Sequence, residues 1–235
     1  MGAILAIETA TRVCSVAVAE GSEVLGEFSL NVPQVHVERL VILIDELLSG
    51  LHRAYSDIEA IAVSNGPGSF TGLRIGLSVA KGIAYGKDKK LIAVPTLDAL
   101  ALRFIDVPEG TYVVPLLHAR AEEFYYARFK KTGGRMQKIG EYAIAEAAKI
   151  AGESTGDTLF VGEGAAAFAE HEEVRKKFGF GSFKKTLASA TEIALLAEEK
   201  RTRGEFADLK TLAPHYIKDF VAIKGNPLKK IVEKN

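Results

Sequence analysis

The chain has 235 residues, 48% of them hydrophobic and 26% charged, which is enough for one large or two small domains with proper cores. Thirty basic and thirty acidic residues give a formal charge of zero, so the overall balance leaves no electrostatic footprint for nucleic acid. A single cysteine excludes an internal disulfide, and neither a signal-peptide pattern nor a run of membrane-spanning length is present, so we expect a cytoplasmic protein.

The first thirty residues predict an antiparallel meander of three strands. Apolar or alternating runs cover residues 3–7, 13–19 and 24–30, and polar turns separate them. Glu8 follows the first strand at its carboxyl end, where the ligand sites of α/β folds gather. A lone carboxylate there is more often a turn residue than a catalytic group, because catalysis needs a partner group.

A glycine-rich turn at residues 64–72 stands between a short buried strand (residues 58–63) and a helix (residues 73–86), for which Ser69 or Thr71 is a candidate cap. Such a turn points backbone N–H groups and the positive helix end at whatever lies above the sheet edge. No P-loop lysine follows it, and its glycine spacing misses the dinucleotide fingerprint by one residue. The residues alone therefore favour a tight connection and leave a phosphate site open as the alternative.

The helix after this turn is apolar on nearly every side, and small residues recur on it at every fourth position. A helix outside a sheet needs only one apolar side. We therefore expect either a partner helix on its second side or burial of the whole helix within its own domain. The preceding helix (residues 36–49) is amphipathic with one apolar residue on its polar face. The first alternative gives the predicted partner interface: Ile42, Leu73, Gly76, Leu77, Ala80 and Ala84.

The second half repeats the plan of the first. A strand (residues 91–94) and a helix ending at Phe104, with Thr96 as candidate cap, lead to a boundary, so we predict domains of residues 1–105 and 106–235. Three strands within residues 112–142 again form strand–turn–strand–turn–strand, which predicts a duplicated α/β fold with a ligand cleft between its halves.

The rest of the second half predicts further elements. A strand enters the turn at Gly162 and Gly164, and a loose tail covers residues 224–235. Helices are predicted over residues 143–151, 165–173 and 191–203, the last of them capped by Thr191.

Several motifs resemble the TsaB (YeaZ) family of the threonylcarbamoyladenosine system of tRNA, and they are spread over most of the chain. They are Asn65-Gly66-Pro67-Gly68-Ser69-Phe70-Thr71-Gly72-Leu73-Arg74-Ile75-Gly76, the opening Ile4-Leu5-Ala6-Ile7-Glu8-Thr9, Val94-Pro95-Thr96-Leu97-Asp98, and Pro214-x-Tyr216-Ile217. The resemblance implies an α/β fold of two ribonuclease H-like lobes, of the actin, sugar-kinase and Hsp70 type. It also implies a relation to the TsaD, or glycoprotease-like, family.

The resemblance further implies a non-catalytic scaffold that binds and activates a TsaD-type catalytic subunit. It implies recruitment of a TsaE-type ATPase, a homodimer when the chain is alone, and contact with tRNA through the complex. No cofactor of its own is expected, because ATP and metal would sit on the partner subunits. The alternative is an ATP-binding phosphotransferase or hydrolase of the same superfamily, with a nucleotide site at Glu8, Gly66, Gly68, Gly162 and Gly164.

Departures from the family pattern indicate that this chain does not catalyse a reaction itself. The family usually opens with Asp-Thr-Ser where this chain has Glu8-Thr9-Ala10, and it usually has Asp where His118 stands. His36 is followed by Leu40, so the pair of histidines one turn apart that binds metal in the TsaD relative is incomplete. Ser69 is not in a nucleophile elbow. We therefore predict no catalytic residue, no metal site and no protease activity. Direct tRNA binding by the Lys-rich residues 175–185 and 224–234 remains a third hypothesis.

Overall fold

The computed structural model describes residues 2–32, 36–120 and 122–217, without the side chains of residues 36–38. Within these ranges the strands form two five-stranded mixed sheets. The strands of the first sheet are β1 (Ala3–Glu8), β2 (Cys14–Glu20), β3 (Glu23–Leu30), β4 (Ile58–Ser64) and β5 (Lys90–Val94). The strands of the second are β6 (Tyr112–His118), β7 (Glu123–Thr132), β8 (Arg135–Glu146), β9 (Thr158–Val161) and β10 (Phe183–Lys184). The helices are α1 (His36–Gly50), α2 (Phe70–Gly86), α3 (Thr96–Leu102), α4 (Ala147–Glu153), α5 (Ala165–Ala169), α6 (Glu172–Lys177) and α7 (Ala190–Thr202).

The two sheets have the same topology. The first has the order β3-β2-β1-β4-β5, and the second has the order β8-β7-β6-β9-β10, so each strand has its counterpart five strands later. In both sheets the first three strands form an antiparallel meander and the last two run parallel to the central strand. The predicted duplication is confirmed, and with it the α/β class of two lobes.

Side chains of β1 alternate between the two faces of the first sheet. Leu5 and Ile7 of β1 pack into a core of large residues under α1 and α2, whereas Ile4 and Ala6 face α7. The α7 side of the sheet is mostly alanine, and α7 itself contributes alanines to it. Because small residues on both surfaces shorten the distance between a helix and a sheet, α7 lies close against the strands.

Two helices are exchanged between the halves of the chain. The helix α3, which ends the first half, packs on the second sheet through Leu97, Leu100 and Ala101. The helix α7, which ends the second half, packs on the first sheet. The two exchanged helices also contact each other between the sheets. The division at residues 105 and 106 stays a prediction, and helix packing crosses it in both directions.

Several predicted helix limits are corrected. Residues 143–146 belong to β8, because they pair with β7, so the helix predicted from residue 143 begins at Ala147. The helix predicted over residues 165–173 is two short helices, α5 and α6. Ser69 is confirmed as the cap of α2, since its Oγ accepts the Gly72 N–H at 3.2 Å. Thr96 and Thr191 are not caps, because Pro95 and Ser189 hold those positions. The tail predicted over residues 224–235 lies outside the described residues.

The row of small residues on α2 packs against the chain's own β1 end. The Thr9 hydroxyl donates to the Gly72 carbonyl at 2.8 Å. A Cβ at Gly72 would collide with the Thr9 carbonyl oxygen, and one at Gly76 would collide with the Thr9 hydroxyl. At Gly72 and Gly76 the close approach that the spacing predicts is therefore intramolecular, and the approaching group is Thr9.

We predict opposite effects for two glycine-to-alanine changes in this helix. Gly72→Ala places a methyl group against backbone, so it should lower the free energy of unfolding by about 1–3 kcal/mol. Gly82→Ala is the matched control, because nothing lies within 4 Å of the new methyl, and it should raise that free energy by roughly 0.5–1 kcal/mol. Urea denaturation of both variants measures the difference. Equal denaturation midpoints for the two variants would show that packing against Thr9 does not hold α2 in place.

Candidate functional site

The central glycine turn is closed against the end of β1. The Ser69 N–H donates to the Ala10 carbonyl at 2.6 Å. A Cβ at Gly68 would collide with that same Ala10 carbonyl, and one at Gly66, whose φ is +114°, would lie 2.8 Å from the His215 carbonyl oxygen. These glycines therefore allow close backbone packing inside the chain.

The corresponding turn of the second lobe is closed in the same way. The Gly164 N–H donates to the Leu116 carbonyl at 3.0 Å, and the Gly162 N–H donates to the Lys184 carbonyl at 3.2 Å. Gly162 has a φ of +105° and lies against Leu116. A phosphate cradle needs N–H groups that point away from the protein's own carbonyls. The N–H groups of Ser69, Gly162 and Gly164 donate to the protein's own carbonyls, so these three groups are not available to a phosphate.

Glu8 lies fully buried at the carboxyl end of β1. Its Oε1 accepts the Ala10 N–H at 2.6 Å, while its Oε2 has no hydrogen-bond partner among the described residues. Burial raises the pKa of Glu8 to about 7, against the opposing hydrogen bonds from Ser64 and the backbone. Burial therefore favours the uncharged carboxyl at the position where the family pattern has an aspartate.

The second lobe faces Glu8 with a mixture of charges. His118 ends β6 as Glu8 ends β1, so the two occupy equivalent positions in the duplicated fold. Burial raises the pKa of Glu163, and the charges of Arg12, His118 and Lys185 oppose that rise. The charge of Glu163 in turn adds to the rise at Glu8. In residues 2–32, 36–120 and 122–217 no three His, Cys, Asp or Glu side chains are grouped so that they could hold a metal ion.

The predicted partner interface is divided by the fold. Ile42 is 42% exposed on α1, beside Val41 at 48%. The other five residues point into the chain's own core: Leu73, Gly76, Leu77, Ala80 and Ala84. The prediction that these five residues contact a partner directly is corrected, because on α2 they face the first sheet of the same chain. The outward side of α2 carries Thr71, Arg74, Ser78, Gly82 and Tyr85, with half-buried Ile75, Val79 and Ile83 at its margins.

The local sequence pattern missed a contact between the start of α2 and the C-terminal segment. The Tyr216 ring stacks on Phe70 with 5.4 Å between centroids, and its hydroxyl accepts from Arg74 Nε at 3.2 Å. The Arg74 guanidinium lies 3.8 Å from the centre of the Phe70 ring. Since these residues are more than 140 positions apart, the Pro214-x-Tyr216 motif was the only signal. The contact holds residues 214–216 over the central turn.

Comparisons with known proteins agree with this architecture. The family model described as "TsaD: tRNA N6-adenosine threonylcarbamoyltransferase" matches residues 29–225. The protein TsaB of Bacillus subtilis, described as a tRNA threonylcarbamoyladenosine biosynthesis protein, is 28% identical over 92% of this chain and 93% of its own. The TsaB of Escherichia coli is 38% identical over 54% of this chain. That match spans 55% of the E. coli protein, and the match to the Haemophilus influenzae TsaB spans 52% of its length.

Solved structures agree as well. The YeaZ protein of Pseudomonas aeruginosa is 27% identical, with a TM-score of 0.79 over 92% of this chain and 100% of its own. A second crystal structure, described as similar to peptidase YeaZ from the same organism, has a TM-score of 0.80 over 93% of this chain.

Fold and site together define a two-lobed α/β protein whose glycine turns are closed by its own backbone. None of the helices in the described ranges combines the length and apolarity needed to cross a bilayer. The chain belongs to the family described by the TsaD model. Over most of its length it is similar to the TsaB protein of Bacillus subtilis and to the YeaZ protein of Pseudomonas aeruginosa.

The raised pKa of Glu8 predicts that the free energy of unfolding depends on pH. A carboxyl whose pKa is higher in the folded than in the unfolded state gives stability that is present below about pH 4.5 and lost as pH rises through about 7. Glu8→Gln cannot titrate, so its stability relative to wild type should rise by about 3 kcal/mol between roughly pH 5 and pH 8. Urea denaturation of both proteins across this range measures the change. Parallel stability curves would refute a buried, titrating Glu8.

Proposed function

We propose that the chain is a non-catalytic partner subunit that binds and activates a TsaD-type catalytic subunit in the formation of N6-threonylcarbamoyladenosine in tRNA. The observation that carries the proposal is the closure of both glycine turns by the chain's own carbonyls, on an otherwise intact two-lobed fold. Such a protein keeps the two-lobed fold, but N–H groups of its glycine turns donate to its own carbonyls. It is therefore suited to support catalysis by a related subunit rather than to catalyse the reaction itself.

The docking surface in this proposal is the outer side of α1 and α2. Val41 and Ile42 are exposed there, and half-buried Ile75, Val79 and Ile83 lie on α2, which packs on α1. A TsaD-type subunit shares the fold of this lobe, so the same pair of helices on each subunit can meet about a pseudo-two-fold axis. By the same argument the chain pairs with itself when it is alone.

The remaining parts of the reaction belong to the partners in this proposal. ATP and metal are held by the TsaD-type subunit and by a TsaE-type ATPase, and tRNA reaches the chain within that complex. Because tRNA is the substrate of the complex, the place of action is the cytoplasm. The five buried residues of α2 then act indirectly, by fixing the helix that presents the surface.

One substitution on α1 tests the docking surface. Ile42→Arg places a charge at the centre of the proposed contact, so it should weaken binding to purified TsaD by tenfold or more, at a cost of at least about 1.4 kcal/mol. Ile139→Arg is the matched control, because Ile139 is similarly exposed, at 37%, on β8 of the other lobe. Isothermal titration calorimetry with TsaD measures the affinities, and sedimentation velocity of each variant alone measures the homodimer. Loss of binding in both variants, or in neither, would remove α1 from the interface.

Nucleotide binding tests the alternative enzyme. Calorimetry of the isolated chain with ATP and magnesium should give no measurable heat of binding, because the N–H groups of Ser69, Gly162 and Gly164 already donate to the chain's own carbonyls. Tight binding that Gly162→Val abolishes would instead establish a nucleotide site between the lobes. The TsaD subunit in the same instrument is the positive control.

A further inference from the structure

A cavity of about 670 Å³ lies at the C-terminal end of α2, on the surface of the first lobe. The turn between α2 and β5 forms one side of it, and the segment after α7 forms the other, where Ala207 bridges to Leu91. Its volume is in the range of ligand sites. Neither the closed glycine turns nor Val41 and Ile42 of the docking surface contribute to its lining. The side chains that decide its chemistry are Lys81, Lys89, Lys90, Lys210, Tyr85 and Phe206.

The charge of this cavity is positive and uncompensated. Four lysines line it against two aspartates, Asp88 and Asp208. Asp208 is directed into its own turn, where it accepts the N–H groups of Lys210 and Thr211 at 2.9 and 2.8 Å. None of the four lysines forms an ion pair with a carboxylate of the described residues. The ammonium groups are therefore available to an anionic ligand.

Two exposed aromatic rings accompany these lysines. Tyr85 is 83% exposed at the end of α2, and Phe206 is 42% exposed across the cavity. The Lys90 ammonium lies 5.9 Å from the centre of the Phe206 ring. Aromatic faces beside unpaired cations form the stacking platforms with which proteins hold single-stranded nucleic acid. An acidic peptide would satisfy the lysines but would leave these rings without a partner.

We propose that this cavity binds a single-stranded stretch of RNA, with bases stacked on Tyr85 and Phe206 and phosphates at the four lysines. A free nucleotide fits less well, because Lys90 and Lys210 are exposed and form no buried point at which a phosphate group would be held. Several weak phosphate contacts along a strand suit such an arrangement. The identity of the RNA as tRNA rests on the proposed function, whereas binding of a strand does not.

Fluorescence anisotropy of the full chain with a labelled single-stranded oligoribonucleotide of mixed sequence tests the proposal. Lys89→Glu with Lys90→Glu should weaken binding at least tenfold and reduce the slope of log affinity against log salt by about 1.4, since each phosphate contact with single-stranded nucleic acid contributes about 0.7. Tyr85→Ala with Phe206→Ala should also weaken binding at least tenfold, with the slope unchanged, because stacking does not depend on charge. The matched control is Lys149→Glu with Arg135→Glu, two exposed cations of the other lobe that lie outside residues 175–185, and it should leave both quantities unchanged.

Displacement of the labelled oligoribonucleotide from the wild-type chain is a second test that needs no variant. Unlabelled oligoribonucleotide should displace the probe, while ATP and polyglutamate at equal charge should not. Displacement by polyglutamate at equal charge, equal losses in the cavity and control variants, or no binding of the strand at moderate salt would each overturn the proposal. Tyr85 also lies on the outward side of α2, so TsaD affinity is measured on the Lys89→Glu with Lys90→Glu variant, whose residues follow the end of that helix. Failure of the RNA site and failure of the partner role then give different results.

Discussion

The packing of Thr9 on the small residues of α2 is the contact on which the rest of the arrangement depends. Thr9 follows β1 directly, and its hydroxyl and carbonyl occupy the space that side chains at Gly72 and Gly76 would fill. This approach holds the start of α2 against the sheet, and the bond from Ser69 to Ala10 then closes the turn that precedes the helix. Together these two contacts close the turn on the end of β1 and fix the helix whose outer side faces solvent.

The exchange of α3 and α7 explains why the two lobes form one structure. Each sheet lacks a helix from its own half on its inner face and receives one from the other half. Hydrogen bonds reinforce this exchange, since Tyr142 of β8 donates to Asp98 of α3 at 2.7 Å. On the other side of the molecule, Ser189 and Thr191 at the start of α7 both donate to Glu27 of β3. Separating the lobes would expose both helices, so neither half folds as a closed unit without the other.

The sequence predicted the strands and the duplication because alternation and turn residues are local signals. It did not predict the direction in which α2 faces, since a helix that is apolar all round gives no direction by itself. Gly72 and Gly76 correctly indicated a close approach, but spacing does not identify the approaching group, and that group was Thr9 rather than a partner helix. Pairing with β7 overrode the helical composition of residues 143–146, and the contact of Tyr216 with Phe70 joins residues too distant for any local pattern. The cavity beside Tyr85 was missed for the same reason, because Phe206 and Lys210 reach it from the far end of the chain.

Glu8 shows how a conserved architecture accommodates the loss of ligand chemistry. The end of the central strand is where such folds place an acid that faces solvent and metal. Here the longer side chain turns back, so that one oxygen accepts the Ala10 N–H and the other is buried without a hydrogen-bond partner among the described residues. Burial then favours the protonated form, and an uncharged carboxyl stabilises the turn without requiring a counter-ion. The substitution of Ser by Ala10 acts in the same direction, because Ala10 offers its carbonyl to Ser69 and no hydroxyl to a phosphate. Closure of the glycine turn and protonation of Glu8 are therefore linked, and each lowers the free-energy cost of the other.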